Sequence, residues 1–283
     1  MGAVMVNRLI PLPDGRRLDL RGQPLVMGIL NVTPDSFSDG GRHNEAARGL
    51  AHGRQMIIEG AEIIDIGGES TRPGHTPVAA DEEIARIAPC IGALAKETIV
   101  SVDTLKAKVA AFALEQGAQI VNDVWGFQRD RDMAHVVGEH GAACVLMHNR
   151  ESEDTRIDIV EDILAFLSAS LDIAQKARIS LDRIVLDPGI GFGKTLEQNL
   201  TAVREIGRLK QLGCPVLLGA SRKRIIGSLT GRSDPQQRMA GSLALHLLGA
   251  QAGADILRVH DVAEHVEAMK VLAAFRIEGR QNI

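Results

Sequence analysis

The sequence predicts an α/β protein of the (β/α)8 TIM-barrel class, and three observations predict it. Eight short apolar runs rich in Ile, Val and Leu recur along the chain, each closing on polar residues. Helical patterns separate them. A glycine often stands just before the next run, where it relieves the left-handed turn that ends a helix. Strand, helix, strand repeated eight times in about 250 residues is the period of this barrel. The competing architecture is an open doubly wound sheet, and the GxGxxG turn expected after its first strand is absent.

Taken in order, Asp14-Gly15 is a hairpin turn signal, so a small β-ribbon is expected ahead of the barrel. This divides the chain into an N-terminal hairpin segment, 1–24, and a barrel, 25–283. The barrel strands are expected over 25–31, 62–65, 98–103, 119–123, 143–148, 183–187, 215–221 and 255–260. Near-continuous apolar composition is what buried parallel strands require. Helices are expected over 105–116, 158–176 and 262–275, among others, with Gly60, Gly117, Gly141, Gly213 and Gly253 at helix ends. The third and fourth units are short. Pro89 falls inside the helix expected over 81–96, so that helix should be kinked or broken.

Bulk composition narrows the function. The chain has 283 residues, is 45% hydrophobic and carries a net charge of −4. A chain of this size buries a core without disulfides. The charge gives no reason to expect nucleic acid or an acidic membrane surface as partner. Cys90, Cys144 and Cys214 are too far apart for a CxxC or zinc motif and fit a reducing cytoplasm. Asn7 and Arg8 interrupt any leader-like apolar start, and no run has the length of a membrane span.

In this barrel class the active site lies at the C-terminal ends of the strands. The residues found there are Asn31, Asp65, Asp103, Asn122 with Asp123, His148, Asp187, the trio Ser221-Arg222-Lys223, and Arg258 with His260. Asp and Asn also cap helices, but a polar group at the end of all eight strands points to a site. Asp103, Asn122 and Asp187 suit the edge of a flat heterocycle, since a carboxylate accepts two parallel hydrogen bonds from an amidine-like edge. Lys223, Arg258 and His260 come from the last two strands, whose loops often hold phosphate. Asn31 and Asp35 lie nearby on the first loop. Oxygen ligands beside diphosphate suit Mg2+. Loops 31–41 and 67–74 are long, polar and rich in turn formers, as binding segments are.

Residues 187–195, Asp-Pro-Gly-Ile-Gly-Phe-Gly-Lys-Thr, look like a P-loop but fail its spacing, because Pro188 stands where the first glycine belongs. A tight turn is expected there, with Lys194 on the surface. Among the histidines, His260 is assigned a function and His148 is left between function and packing. His246 and His265, with the remaining histidines, are given no role. No HExxH-like spacing suggests a zinc site.

The segments Met27-Gly-Ile-Leu-Asn-Val-Thr-Pro-Asp-Ser-Phe-Ser-Asp-Gly-Gly41 and Asp65-Ile-Gly-Gly-Glu-Ser-Thr-Arg-Pro-Gly74 resemble motifs of the dihydropteroate synthases. So do Ser101-Val-Asp-Thr104, Val121-Asn-Asp123, Leu186-Asp-Pro-Gly-Ile-Gly-Phe192, Ser221-Arg-Lys223 and Arg258-Val-His-Asp261, spread over nearly the whole chain. The resemblance implies that the diphosphate of 6-hydroxymethyl-7,8-dihydropterin leaves and the amine of p-aminobenzoate takes its place. It implies pterin contacts from Asp103, Asn122, Met147, Asp187, Gly219, Lys223 and Arg258. Asn31, Arg258 and His260 would bind diphosphate, with Asn31 also reaching Mg2+. Phe37, Thr71, Arg72, Pro73, Phe192 and Arg224 would surround p-aminobenzoate. Asp35, Lys223, Arg258 and His260 are the implied catalytic residues, and a homodimer through outer helices is the implied assembly. Many members have Ser where this chain has Arg224, which bears on how the p-aminobenzoate carboxylate and sulfonamide mimics are held. A methyltransferase of the same superfamily and a silent pterin-binding protein remain alternative readings at this point.

Overall fold

Aliphatic strands flanked by helices must bury both faces, and a closed parallel ring with an outer layer of helices does so. The computed structural model describes residue 6 and residues 8–33, 41–69 and 77–278, leaving aside the side chains of 41–45 and 276–278. Strands β1 (Leu9–Pro11) and β2 (Arg17–Asp19) form an antiparallel hairpin. The ring consists of β3 (Leu25–Asn31), β4 (Ile63–Gly67), β5 (Ile99–Asp103), β6 (Ile120–Asp123), β7 (Ala143–Met147), β8 (Ile184–Asp187), β9 (Leu217–Leu218) and β10 (Ile256–Val259). Hydrogen bonding runs β8-β7-β6-β5-β4-β3-β10-β9, all parallel. A parallel bridge between Leu186 and Val216 joins β8 to the segment leading into β9 and closes the ring.

The helices between strands are α1 (Gly41–Ile58), α2 (Ala80–Leu94), α3 (Ala107–Glu115), α4 (Met133–Glu139) and α5 (Ile159–Lys176). There follow α6 (Leu196–Arg204), α7 (Ile206–Leu209), α8 (Arg224–Thr230), α9 (Met239–Ala252) and α10 (Val262–Glu278). The short third and fourth units expected from the sequence are α3 and α4. Gly253 follows α9 at φ 115° and Gly117 follows α3 at φ 101°, so both turns need the residue without a Cβ.

Two expectations are corrected. At Pro89 the break does not occur, and helix α2 runs on through it. An interior proline costs about 3 kcal/mol, but Ile87, Ile91 and Leu94 on the opposite face are fully buried, and each such side chain contributes roughly 1.5–3 kcal/mol. Pro89 and Ala85 are both exposed, which puts the carbonyl that loses its donor on the water side. The seventh barrel strand, expected over 215–221, keeps only Leu217 and Leu218 in its ladder. Beyond them the backbone turns to side-chain partners: Ala220 N donates to His246 Nε2 at 3.1 Å.

The core has two parts. One lies between strands and helices. The other fills the barrel at the N-terminal ends of its strands, where hairpin residues Ile10, Leu12, Leu18 and Leu20 meet Met27, Ile63, Ile120, Val145, Val185, Leu217 and Ile256. The hairpin thus plugs the end of the barrel opposite the strand C-termini. Arg16 secures it by donating to the Thr98 and Ala95 carbonyls.

Candidate active site

Successive side chains on a strand point to opposite faces, so every second residue faces the barrel interior. The interior apolar layer contains Met27, Ile63, Ile99, Ile120, Val145, Val185, Leu217 and Ile256. Two residues further along each strand stand Ile29, Asp65, Ser101, Asn122, Met147, Asp187, Gly219 and Arg258. One step of the pleat converts a hydrophobic floor into a layer of carboxylates, amide, hydroxyl and guanidinium. Asn31 and Asp103 follow on the next step of β3 and β5.

Arg258 spans this mouth. Its Nε donates to Asp65 Oδ2 at 2.5 Å and its Nη2 to Asp103 Oδ2 at 2.6 Å. Asn122 Nδ2 donates to the same Asp65 oxygen at 3.0 Å. Burial opposes the charge on Arg258, but Asp65 and Asp103 more than offset it and hold the guanidinium above its ordinary value. Burial lifts the Asp103 carboxyl to about 7, against the pull of Arg258 and with the push of Asp65, Glu83 and Asp123. Three buried polar atoms here lack a protein partner: Asp65 Oδ1, Asp103 Oδ1 and Ser101 Oγ. Orphaned buried acceptors are costly, and all three belong to the inner faces of β4 and β5.

The opposite wall is the turn after β8. Asp187 Oδ1 accepts from Gly189 N at 2.7 Å, and burial raises its carboxyl despite nearby Lys223. A Cβ added to Gly219 would sit 3.8 Å from both Asp187 Oδ2 and Arg258 Cβ. That is ordinary contact, so the protein itself does not force glycine there. Lys223 Nζ donates to the Ile190 carbonyl and lies 4.5 Å from the centre of the Phe192 ring. Burial draws its ammonium down to about 8, opposed by Asp187 and aided by Arg258.

Lys194, expected on the surface, is buried. Its Nζ donates to the Gly189 and Phe192 carbonyls at 2.8 and 3.1 Å and meets His148 Nδ1 at 2.7 Å. Burial takes its ammonium down to about 7. An ammonium has three N–H groups, and here they gather the two carbonyls of the turn onto β7's exit. His148 Nε2 meets Asp162 Oδ2 at 2.9 Å, so this histidine serves the scaffold. Gly189 is fixed by contact: an added Cβ would lie 1.8 Å from the His148 carbonyl oxygen.

His260 is tied to Ser221, whose Oγ lies 3.1 Å from its backbone N and 2.9 Å from its Nδ1. Arg222, at φ 57°, pairs with Asp261. Arg224 opens α8 with an exposed side chain.

The structure therefore brings Asp103, Asn122, Met147, Asp187, Gly219, Lys223 and Arg258 around one mouth. Asn31 and His260 end the adjacent strands β3 and β10, and Phe192 stands beside Lys223. Asp35, Phe37, Thr71, Arg72 and Pro73 lie outside the described residues. Sequence reasoning noted Asp65 as a strand end and Ser101 as part of a motif, but gave neither a role. Stepping two residues beyond each apolar interior position would have found both. It also missed Lys194 and the buried pair His246 and His265.

Residues 27–260 match the family model of the pterin binding enzymes. A dihydropteroate synthase of Clostridium beijerinckii is 48% identical over 249 residues, covering 87% of this chain and 92% of that protein. A Xanthomonas albilineans dihydropteroate synthase solved with 4-aminobenzoic acid aligns with TM-score 0.90 and 45% identity, covering 94% of this chain and 98% of that one. The same organism's dihydropteroate synthase in complex with 7,8-dihydropteroate aligns with TM-score 0.86 and 42% identity, over 94% and 99% of the two chains. The chain belongs to the dihydropteroate synthase family.

Proposed function

We propose that this chain condenses 6-hydroxymethyl-7,8-dihydropterin diphosphate with p-aminobenzoate to give 7,8-dihydropteroate and diphosphate. One observation carries the reading on the site itself. The Asp103 carboxylate is buried at the barrel mouth with Oδ2 on Arg258 and Oδ1 without a protein partner. An acceptor so placed calls for a donor from a ligand, and the N–H edge of a pterin offers one. The complexes of the relatives, with 4-aminobenzoic acid and with 7,8-dihydropteroate, support the same pair of substrates.

In this reading Asp103, Asn122, Asp187 and Lys223 hold the pterin, Met147 and Gly219 form its floor, and Arg258 covers its face. Arg258, His260 and Asn31 receive the diphosphate. The C–O bond from the pterin methylene to diphosphate breaks, the ring delocalises the resulting positive charge, and a C–N bond forms to the aromatic amine, which then loses a proton. Lys223 and Arg258, both partly buried cations, counter the charge that gathers on the departing oxygen. Phe192 packs on the p-aminobenzoate ring, and Arg224 meets its carboxylate through its backbone N–H or its charge. Asp35 and Phe37 of the first loop, with Thr71, Arg72 and Pro73 of the second, would close over that ring, and Asp35 is assigned a catalytic part.

Mg2+ belongs to the proposal as well. Among the described residues no three His, Cys, Asp or Glu side chains gather as a metal cluster. The donor chemistry fits an ion held by the single amide oxygen of Asn31 together with substrate diphosphate and water, the habit of Mg2+. Bound there it would supply positive charge to the leaving group.

We place the enzyme in the cytoplasm, with small molecules rather than nucleic acid or membrane as partners. The buried free thiols of Cys90, Cys144 and Cys214 support this, and no described helix is long and apolar enough to cross a membrane. A homodimer through the outer helices is supported by Leu229, Leu248, Val271 and Phe275, large apolar side chains exposed on α8, α9 and α10. The division into hairpin segment 1–24 and barrel 25–283 is supported by the two sheets sharing no strand pair.

The test is steady-state turnover with the dihydropterin diphosphate, p-aminobenzoate and Mg2+, following diphosphate and dihydropteroate together. Equal formation of both, lost on chelation, establishes the reaction. Tight pterin binding without product would instead indicate a methyltransferase or a silent binder.

A further inference from the structure

Strand β9 is short where the site needs it firm. Its ladder to β10 pairs only Leu217 with Ile256 and Leu218 with Leu257. Gly219 faces the pocket, Ala220 follows, and Lys223 N donates back to the Ala220 carbonyl at 3.3 Å. The placement of Ala220 therefore sets the turn that carries Lys223. Ala220 is fully buried, and a buried backbone N–H must find an acceptor. No ladder partner takes it; His246 Nε2 does, at 3.1 Å.

That bond dictates a chain of others. A backbone N–H can only donate, so His246 Nε2 must present a lone pair, and in a neutral imidazole the proton then sits on Nδ1. His246 Nδ1 lies 2.8 Å from His265 Nε2, which must therefore accept. The His265 proton is then on its Nδ1, 2.5 Å from the Asp261 carbonyl oxygen, a pure acceptor. Every link is satisfied in one polarity only, with both rings neutral and both carrying hydrogen on Nδ1. The rings are fully buried and meet edge to face, with centroids 4.8 Å apart. The wire starts one residue before Ser221 and ends one residue after His260. Two other ties run between the same segments, Ser221 Oγ to His260 and Arg222 to Asp261.

We propose that His246 and His265 are positioning residues: together they form a neutral hydrogen-bond wire that clamps the tip of β9 to the tip of β10 and so sets Lys223 against Arg258 and His260. The proposal rests on the synthase reading of those three residues as substrate contacts. Neither histidine touches the substrate site; both act through the backbone of Ala220 and Asp261. Helices α9 and α10, which lie outside the ring, thereby gain a say in the geometry of the pocket. Each histidine falls on its helix's buried face, His246 with Ser242, Leu245 and Gly249, and His265 with Val262, Met269 and Leu272.

Two measurements on the full chain test this. The first is the nitrogen–proton correlation spectrum of the imidazoles, with His246→Gln and His265→Gln for assignment. Both rings should report the neutral Nδ1–H tautomer at pH 7.5; an Nε2–H tautomer or an imidazolium in either overturns the wire. The second is a steady-state comparison of His246→Leu with His246→Gln. Leucine removes acceptor and donor, and it should raise KM for the pterin diphosphate about tenfold while KM for p-aminobenzoate stays put, since small misplacements of a binding group are costly. Glutamine supplies one acceptor and one donor and should restore most of that loss. A folded His246→Leu protein with both KM values unchanged, or a His246→Gln protein as impaired as the leucine variant, overturns the positioning role. If leucine prevents folding, the glutamine variant and the spectrum decide. Wild-type protein that shows the expected tautomers but no turnover would overturn the synthase reading, and the positioning role with it, and leave the wire as architecture alone.

Discussion

The same eight strands build two interior layers one pleat step apart, and the layers follow opposite rules. At the N-terminal ends, Met27, Ile63, Val145, Val185, Leu217 and Ile256 meet the leucines of the hairpin and leave nothing unpaired. Two residues on, Asp65, Ser101, Asn122, Asp187 and Arg258 share the same enclosed space with too few partners, and three of the polar atoms along β4 and β5 stay unbonded. The first layer is what a stable barrel wants. The second is a cost to the fold, offset by the first, and it is acceptable only where a ligand completes it. The plugging hairpin matters in this light, since it seals one end of the barrel dry and leaves the other for chemistry.

The largest break of this comparison comes from Arg258→Met. Removing the guanidinium leaves Asp65 and Asp103 as uncompensated buried carboxylates, which costs roughly 3–5 kcal/mol of stability, and turnover should fall below detection. The loss should depend on pH. Asp103 titrates at about 7 in the folded chain, above its ordinary value of 3.8. A folded-state pKa that is raised means the folded form binds the proton first, so stability is lost as pH rises through that window. Without Arg258 the carboxyl holds its proton still harder. Denaturant unfolding of the variant should therefore show a smaller deficit at pH 6 than at pH 8, and equal deficits would remove the charge argument.

Ile63→Ala probes the other layer. Ile63 is fully buried one step below Asp65, and truncation should cost about 2–5 kcal/mol. The surviving folded protein should keep its KM for both substrates. A changed KM would mean that the floor communicates with the site and that the two layers are not separable. Asp187→Ala is the converse. It should weaken pterin binding by roughly 2–4 kcal/mol, as for a lost charge-assisted contact, and calorimetric titration with a pterin would show it; unchanged affinity would sink that role.

How much of this was legible in the sequence follows the same division. The apolar layer is written as runs of Ile, Val and Leu, so the strands fell within a few residues of where they form, and Gly60, Gly117, Gly141, Gly213 and Gly253 all adopt positive φ. The exception is β9, where Gly219 and Ala220 look strand-like but lie outside the ladder, and Ala220 N bonds to His246 instead. The polar residues that end strands were legible as a site because they come together from all eight. Lys194 was not, because its burial depends on His148, 46 residues away. His246 and His265 were not, because one histidine on an apolar helix says nothing of a second across a helix interface.

The smallest expected effect sharpens the comparison at the histidines. His148, His246 and His265 are all buried, and burial holds each below its ordinary value of 6.5, His148 at about 3. Lys194 and Arg150 press on His148 in the same direction against Asp162, Lys223 and His260 press on His246, and Asp261 and Glu264 pull the other way on His265. For a group with a depressed folded-state pKa, the unfolded chain takes up the proton first. Stability is then full above about 6.5 and declines as pH falls, by at most about 1.4 kcal/mol per pH unit for each histidine. The raised Asp103 carboxyl imposes the opposite slope just below neutrality, so the two regions pull against each other between pH 6.5 and 4. Replacing both wire histidines by glutamine removes two of these three histidines and leaves the carboxylates untouched. The double variant should lose less stability than wild type between pH 6.5 and 5.5, and it should do so with the pterin pocket still competent to bind. An unchanged slope would mean that the folded wire takes up protons as readily as the unfolded chain, and the depression of these two rings by burial would have to be abandoned.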